Sequence, residues 1–218
     1  MALAIFDLDN TLIAGDSDHS WGEFLVSNGK VDPDHYRMMN DRFYADYEAG
    51  CLDIYAYLDF SLAPLSAIPM AELQQLHQEF MREIIDPMML DKARDLLETH
   101  RKSGDHLLVI TSTNRFIVEP ICHALGINDL IATELEISDG QYTGKVSGTP
   151  TFKEGKVKRF NEWLVEHPDH RGDSYFYSDS INDLPMLMEV GNPVAVDPDP
   201  ALHNEASRRN WQIISLRD

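Results

Sequence analysis

The chain is expected to fold as an α/β protein, a doubly wound and mostly parallel sheet with an all-helical segment inserted after its first strand. Three observations predict this. Short apolar runs each stop abruptly at a polar residue, as buried parallel strands do. Helical stretches separate most of these runs. Between about residues 16 and 85 the alternation gives way to helical periodicity alone.

The first run is Ala2 to Phe6, which ends at Asp7. The second, Leu107 to Ile110, ends at Thr111; the third, Tyr175 to Tyr177, ends at Ser178-Asp179; the fourth, Pro193 to Val196, ends at Asp197. Helices are predicted over Leu90 to Lys102, closed by Gly104, and Phe116 to Leu125, closed by Gly126. The intervening helical segment reads from Trp21, Phe24 and Leu25 through Tyr36 to Tyr47, Ile54 to Leu62 and Leu73 to Phe80, punctuated by Pro33, Gly50, Pro64 and Pro69. Alternating residues between Ile131 and Gly144, with Asp139-Gly140 among them, signal a hairpin. The expected division is a core of residues 1–15 and 86–218 and a helical domain of residues 16–85.

Composition narrows the function. Among 218 residues, 37 are acidic and 18 basic, for a formal net charge of −19. Such a surface repels phosphodiester backbones and anionic lipid, so neither nucleic acid nor membrane is an expected partner. Cys51 and Cys122 have no metal-ligand spacing and suit a reducing compartment. The N-terminal run carries no basic segment, so no secretory leader is expected, and the chain reads as cytoplasmic.

The polar residues at the strand ends carry the chemistry, because doubly wound sheets bind ligands there. Asp7-Leu8-Asp9-Asn10-Thr11 puts two carboxylates at one strand terminus. They repel each other unless a hard divalent cation sits between oxygen ligands, and Mg2+ beside a phosphate is the usual case; the plainer alternative is a polar turn. Ser178-Asp179-Ser180-Ile181-Asn182-Asp183 follows another strand, with Asp179 close to Asp7 if the two strands are neighbours. Here too a helix cap is the plainer reading, and the two are compatible. Thr111 and Ser112, at the end of a third strand, can hold a phosphate oxygen. Lys153 or Lys156, ahead of a helix over Val157 to Leu164, can neutralise a phosphoryl group.

The order acidic pair, hydroxyl, lysine, acidic pair, each at its boundary, resembles the haloacid-dehalogenase superfamily of phosphohydrolases over essentially the whole chain. Asp7 to Leu12 resembles its first motif, Thr111 the second, Lys156 the third, and Asp179 with Asp183 the fourth. The helical insert looks like the cap of the phosphoserine-phosphatase-like branch, on a Rossmann-like core. Two departures stand out. Ser178 replaces a frequent glycine, and Thr111-Ser112-Thr113 replaces the Ser-Gly-Gly of phosphoserine phosphatases, which counts against strict phosphoserine specificity.

The resemblance implies an Mg2+-dependent phosphomonoesterase in which Asp7 is the nucleophile of an aspartyl-phosphate pathway and Asp9 the general acid and base. It implies metal ligation by Asp7, the Asp9 carbonyl, Asp179 and Asp183, and phosphoryl contacts from Thr111, Ser112, Asn182 and Lys156. Lys156 is favoured over Lys153 because it directly precedes the helix. Asp16 falls where phosphoserine phosphatases carry a glutamate facing the substrate ammonium, and a helix-cap role suits it equally. The implied substrate is a small amine-bearing phosphomonoester of the phosphoserine or histidinol phosphate type, acted on by a monomer or homodimer. Arg42 and Arg115 are further candidate substrate contacts, although solvated positions suit them well. Of the aromatic residues in the helical segment, one or two are expected to line the site. The competing readings are a non-catalytic phospho-acceptor switch resembling response-regulator receivers, against which the insert and Asp9 argue, and a phosphotransferase or mutase of the same superfamily.

Overall fold

The computed structural model describes residues 2–170 and 173–217. Its centre is a six-stranded, wholly parallel sheet: β1 (Leu3–Phe6), β2 (His106–Asn114), β3 (Asp129–Thr133), β6 (Ser174–Ser178), β7 (Asn192–Val196) and β8 (Gln212–Ile214). The spatial order is β3-β2-β1-β6-β7-β8. A separate antiparallel hairpin joins β4 (Leu135–Ser138) to β5 (Gln141–Val146) through Asp139 and Gly140. Both turn residues have positive φ, 52° and 77°, the geometry that matches the twist of a two-residue hairpin.

The register pairs Ile5 with Leu108 on one side and with Phe176 on the other. The chain therefore leaves β1 toward β2 and β3, then returns to lay β6 against the opposite edge of β1. This reversal opens a crevice beyond the carboxyl ends of β1 and β6. Strand alternation divides the sheet's apolar side chains between its faces. Leu3, Ile5, Leu108, Ile110 and Phe176 pack with α8 (Glu154–Glu166), α9 (Leu184–Leu187) and α10 (Pro200–Arg209). Ala4, Phe6 and Val109 face the opposite way, toward α6 (Asp91–Ser103) and α7 (Arg115–Ala124).

Between β1 and α6 run α1 (Ser17–Ser27), α2 (Pro33–Glu48), α3 (Ile54–Ser61), α4 (Ala63–Ala67) and α5 (Met70–Phe80). Asp16, Asp32 and Asp53 cap α1, α2 and α3 by accepting backbone N–H bonds, and Pro33 opens α2, where its missing N–H costs nothing. The apolar residues of this segment do not form a core apart from the sheet. Trp21 and Phe24 of α1 and Leu73 and Phe80 of α5 belong to one continuous cluster with Val109, Ile117 and Val118. Trp21 meets the rings of Phe24, Phe80 and Phe116, and the His77 Nε2 lies 2.9 Å from the Ile117 carbonyl. Burial lowers the pKa of His77, so the neutral ring donates that bond.

Several elements differ from those expected, among them the hairpin, which begins at Leu135 because Ile131 to Thr133 belong to β3. Strand β2 continues through Thr111, Ser112 and Thr113 to Asn114, so these residues are on the strand rather than beyond it. Helix α8 begins at Glu154, which puts Lys156 inside its first turn and Lys153 at its cap position, not Lys156 ahead of the helix. Helix α10 and the edge strand β8 complete the sheet from a segment whose sequence pattern is too short and polar to announce a strand.

Candidate active site

The carboxyl ends of β1 and β6 bring Asp7, Asp179, Asp183 and Lys156 together. Asp7 anchors its position by donating its backbone N–H to the Tyr177 carbonyl. Its Oδ1 accepts a 2.7 Å bond from the Lys156 Nζ, which also donates to Asp183 Oδ2 at 2.8 Å. Ser178, at the position often held by glycine, donates its hydroxyl to the same Asp183 oxygen at 2.7 Å. Thr11 donates its hydroxyl to Asp179 Oδ1 and accepts the Asp179 N–H, both at 3.1 Å.

Burial dominates the electrostatics. It pushes Asp7 up from 3.8 to about 7; Lys156 opposes the rise while Asp183 and Asp9 add to it. Burial, with repulsion from Asp7 and Asp183, raises Asp179 well above the ordinary value. For Lys156 burial works against the charged form, but the two carboxylates outweigh it and its pKa rises. The lysine stays protonated, and one cation faces three carboxylates.

Asp9 stands apart from that cluster. Its Oδ1 accepts the Ser17 N–H at 2.7 Å and its Oδ2 accepts the Thr113 hydroxyl at 2.8 Å. Burial and then Asp16 raise its pKa to about 7, so near neutrality it holds or releases a proton readily. Thr113 also donates its N–H to the Thr111 Oγ1, which orders this end of β2.

Above Asp7 and Asp9 lies a chamber whose lower wall is Thr111, Ser112 and Thr113 and whose upper wall includes Asp16, Asp18, Tyr44, Tyr47 and Tyr57. Asp16 is both helix cap and chamber wall: its Oδ1 accepts the His19 N–H at 2.8 Å, and burial raises its pKa to about 6. Asp18, which the motif comparison did not single out, is raised to about 7 by burial despite the Tyr57 hydroxyl against it. His19 lines the chamber too. So do Phe43 and the three tyrosines, more aromatic side chains than the one or two expected, and Phe152 joins them from the other side. The available sequence signal was the Asp16-x-Asp18 spacing in the first helical turn after the acidic pair.

Two expected contacts are corrected. Arg42 lies on the outer face of α2 with its side chain 69% exposed and its Nε 4.0 Å from Asp46. Arg115 is held by Glu134 and Glu119 and by the Leu130 carbonyl, away from the chamber. Arg42 has its acidic neighbour one helix turn away, and Arg115 has Glu119 one turn on and Glu134 at the junction of β3 and β4. Asn182 directs its Nδ2 to the Tyr47 carbonyl at 3.0 Å. Lys153 reaches the Gly50 carbonyl, and Lys156 is the lysine of the acidic cluster.

As the side chains stand, no three acidic, histidine or cysteine groups among the described residues converge to ligate one metal ion. The donor set nonetheless suits a hard divalent cation: Asp7 and Asp183 are buried and Asp179 half-buried, and a single ammonium leaves their mutual repulsion uncompensated.

Comparison with known proteins agrees with this architecture. The model of the haloacid dehalogenase-like hydrolases matches residues 4–188. The chain is 50% identical to a histidinol-phosphatase of Neisseria meningitidis serogroup C, over 99% of each chain. A protein of unknown function from Bordetella pertussis, 43% identical, superposes with a TM-score of 0.92 over 99% of each chain. A substrate-bound phosphoserine phosphatase shares the fold at 16% identity, with a TM-score of 0.72 over 99% of this chain and 93% of that one. The chain belongs to the haloacid dehalogenase-like hydrolase family, which removes the receiver-like alternative. Within that family it is a phosphatase.

Proposed function

We propose that the chain is an Mg2+-dependent phosphomonoesterase for a small, cationic metabolite phosphate without a carboxylate, of the histidinol phosphate type. The observation that carries this is the chamber's charge. Asp16 and Asp18 line it above Asp7 and Asp9, and none of its described lining residues is a lysine or arginine. An ammonium or imidazolium group finds two carboxylates there, and the tyrosine faces add cation–π attraction. A phosphoserine carboxylate meets the two acidic groups and no lysine or arginine, and such like-charge juxtaposition costs several kcal/mol in a partly dry site.

In this reading Lys156 holds Asp7 Oδ1 and orients the carboxylate to attack phosphorus through Oδ2. The ester P–O bond breaks, and Asp9 gives its proton to the leaving alkoxide. Asp9, now a base, takes a proton from the water that attacks the aspartyl-phosphate, releasing phosphate and restoring Asp7. Thr113 and the Ser17 N–H aim the Asp9 carboxylate in both steps. Thr111 and Ser112, with Lys156, face the phosphoryl oxygens. Asp7, Asp179, Asp183 and the Asp9 carbonyl would hold Mg2+, which when bound neutralises charge on the transferring group.

Among the described residues no helix is long and apolar enough to cross a membrane. Cys51 and Cys122 are free thiols, which fits a reducing, cytoplasmic setting.

The test is a kinetic comparison of histidinol phosphate, phosphoserine and an amine-free alkyl phosphate with Mg2+. We expect kcat/KM to favour histidinol phosphate over phosphoserine by about 100-fold, the equivalent of about 2.7 kcal/mol. Equal turnover of these two would remove the charge argument, and no turnover of any phosphomonoester would remove the reading itself.

A further inference from the structure

We infer that Lys153 is a positioning residue that latches the α2–α3 turn down over the chamber. Its Nζ donates to the Gly50 carbonyl at 2.7 Å, across more than one hundred residues of sequence. That carbonyl lies just past the C-terminus of α2, where unpaired carbonyls concentrate negative charge and an ammonium is well placed. Asn182 grips the same turn at the Tyr47 carbonyl, and the Tyr47 and Phe152 rings meet 6.2 Å apart where both line the chamber. Parting this contact opens the chamber wall, and making it closes the wall over Asp7.

The backbone records the cost of the arrangement. Lys153 has φ 49° and ψ −119°, a conformation natural to glycine and strained for a residue with a Cβ. Gly155 lets this loop pack tightly against the start of α8, since a Cβ there would stand 2.1 Å from the Pro150 carbonyl oxygen. Gly155 and Lys156 in turn donate their N–H groups to the Phe152 and Lys153 carbonyls. One tight turn therefore carries both the residue that grips the α2–α3 turn and the lysine that holds Asp7, and Lys156 keeps its own anchors in Asp7 and Asp183.

The kinetic part of the test rests on the phosphatase reading; the exchange part does not. Hydrogen exchange is followed in the whole Mg2+-loaded protein over residues 47–53, and steady-state kinetics are measured with histidinol phosphate. Lys153→Met should speed exchange of the Gly50 and Cys51 amides and raise KM, each by about 10-fold for one lost charge-assisted bond, with kcat changed less than about 3-fold. Lys153→Arg should restore both. Lys153→Gly should match the Met variant in KM and exchange yet melt at a higher temperature, because it relieves the backbone while losing the ammonium. Unchanged exchange or unchanged KM in Lys153→Met overturns the latch. A collapse of kcat with unchanged exchange overturns it as well, by placing Lys153 in the chemistry. If the wild type hydrolyses no phosphomonoester, the phosphatase reading fails and the exchange comparison alone decides the latch.

Discussion

The floor and the wall of the chamber are both acidic, yet they manage charge differently. On the floor, Asp7 and Asp183 share the fixed ammonium of Lys156, with bonds of 2.7 to 2.8 Å among buried groups. On the wall, Asp16 and Asp18 have backbone and tyrosine donors beside them but no lysine or arginine among the described lining residues. The floor carries a fixed part of its counter-charge in Lys156 and leaves the rest to a cation, as suits a centre that must position a phosphoryl group. The wall leaves its counter-charge to the ligand, which makes it a reader of substrate. Catalytic power and selectivity should therefore respond to different substitutions.

The largest expected effect is on the floor. Asp7→Asn keeps the shape but loses the nucleophile, and kcat should fall by about 10⁴-fold or more. The fold should survive with no loss of melting temperature, since one member of a repelling buried set is neutralised; residual turnover within tenfold of wild type would sink the covalent pathway. Asp9→Asn comes next, with a loss of about 10² to 10⁴ for alkyl esters and less for an activated aryl ester in the phosphorylation step. Burst kinetics with p-nitrophenyl phosphate separate that step from hydrolysis of the intermediate. Equal losses for the two ester types would argue that Asp9 does not protonate the leaving group.

On the wall, Asp18→Asn should change selectivity rather than rate. We expect KM for histidinol phosphate to rise by about 5- to 20-fold and kcat/KM for phosphoserine to improve, as a repelling charge is removed. If KM rises equally for an amine-free phosphate, Asp18 shapes the chamber without reading charge. Asp16→Asn should show the same selectivity with little change in stability, because asparagine caps α1 as well as aspartate does, whereas Asp16→Ala should lose about 1 kcal/mol with the cap.

The prediction with the smallest effect on turnover is the pH dependence of stability without metal. Asp7 and Asp9 have folded values of about 7 against an ordinary 3.8, so folding binds protons more tightly than the unfolded chain does. Their contribution is fully present below about pH 4, declines as pH rises toward 7 and is lost above it. Thermal melts in chelator should therefore fall between pH 5 and 8, and Mg2+ should flatten that slope by holding the carboxylates ionised. A melting temperature that climbs over this range would show that these carboxylates are not raised.

Much of the floor was legible in the sequence because its residues sit at strand ends. Asp7, Thr111 and Asp179 each terminate or extend an apolar run, and parallel strands bring such ends to one edge whatever their order. The choice between Lys153 and Lys156 was not legible on the grounds offered. The sequence pattern puts Lys156 just ahead of the helix, whereas it lies in the first turn of α8, with its side chain on Asp7. The wall was hardly legible at all. Tyr44, Tyr47 and Tyr57 have the helical spacing of core residues, and Arg42 has the composition of a ligand contact but faces solvent.

The sequence by itself determined the parallel α/β class, the helical insert, the hairpin at Asp139-Gly140 and the acidic strand ends. These follow from local rules: apolar runs, caps and turn residues act over a few positions and need no partner to be read. Only the tertiary structure decided which lysine meets Asp7, that α1 and α5 share a core with the sheet, that Asp18 and four aromatic side chains of the insert line the chamber, and that Lys153 reaches Gly50. Such contacts join residues far apart in the chain, and their partners are chosen by packing and by charge balance in a shared low-dielectric space, quantities that no stretch of sequence contains alone.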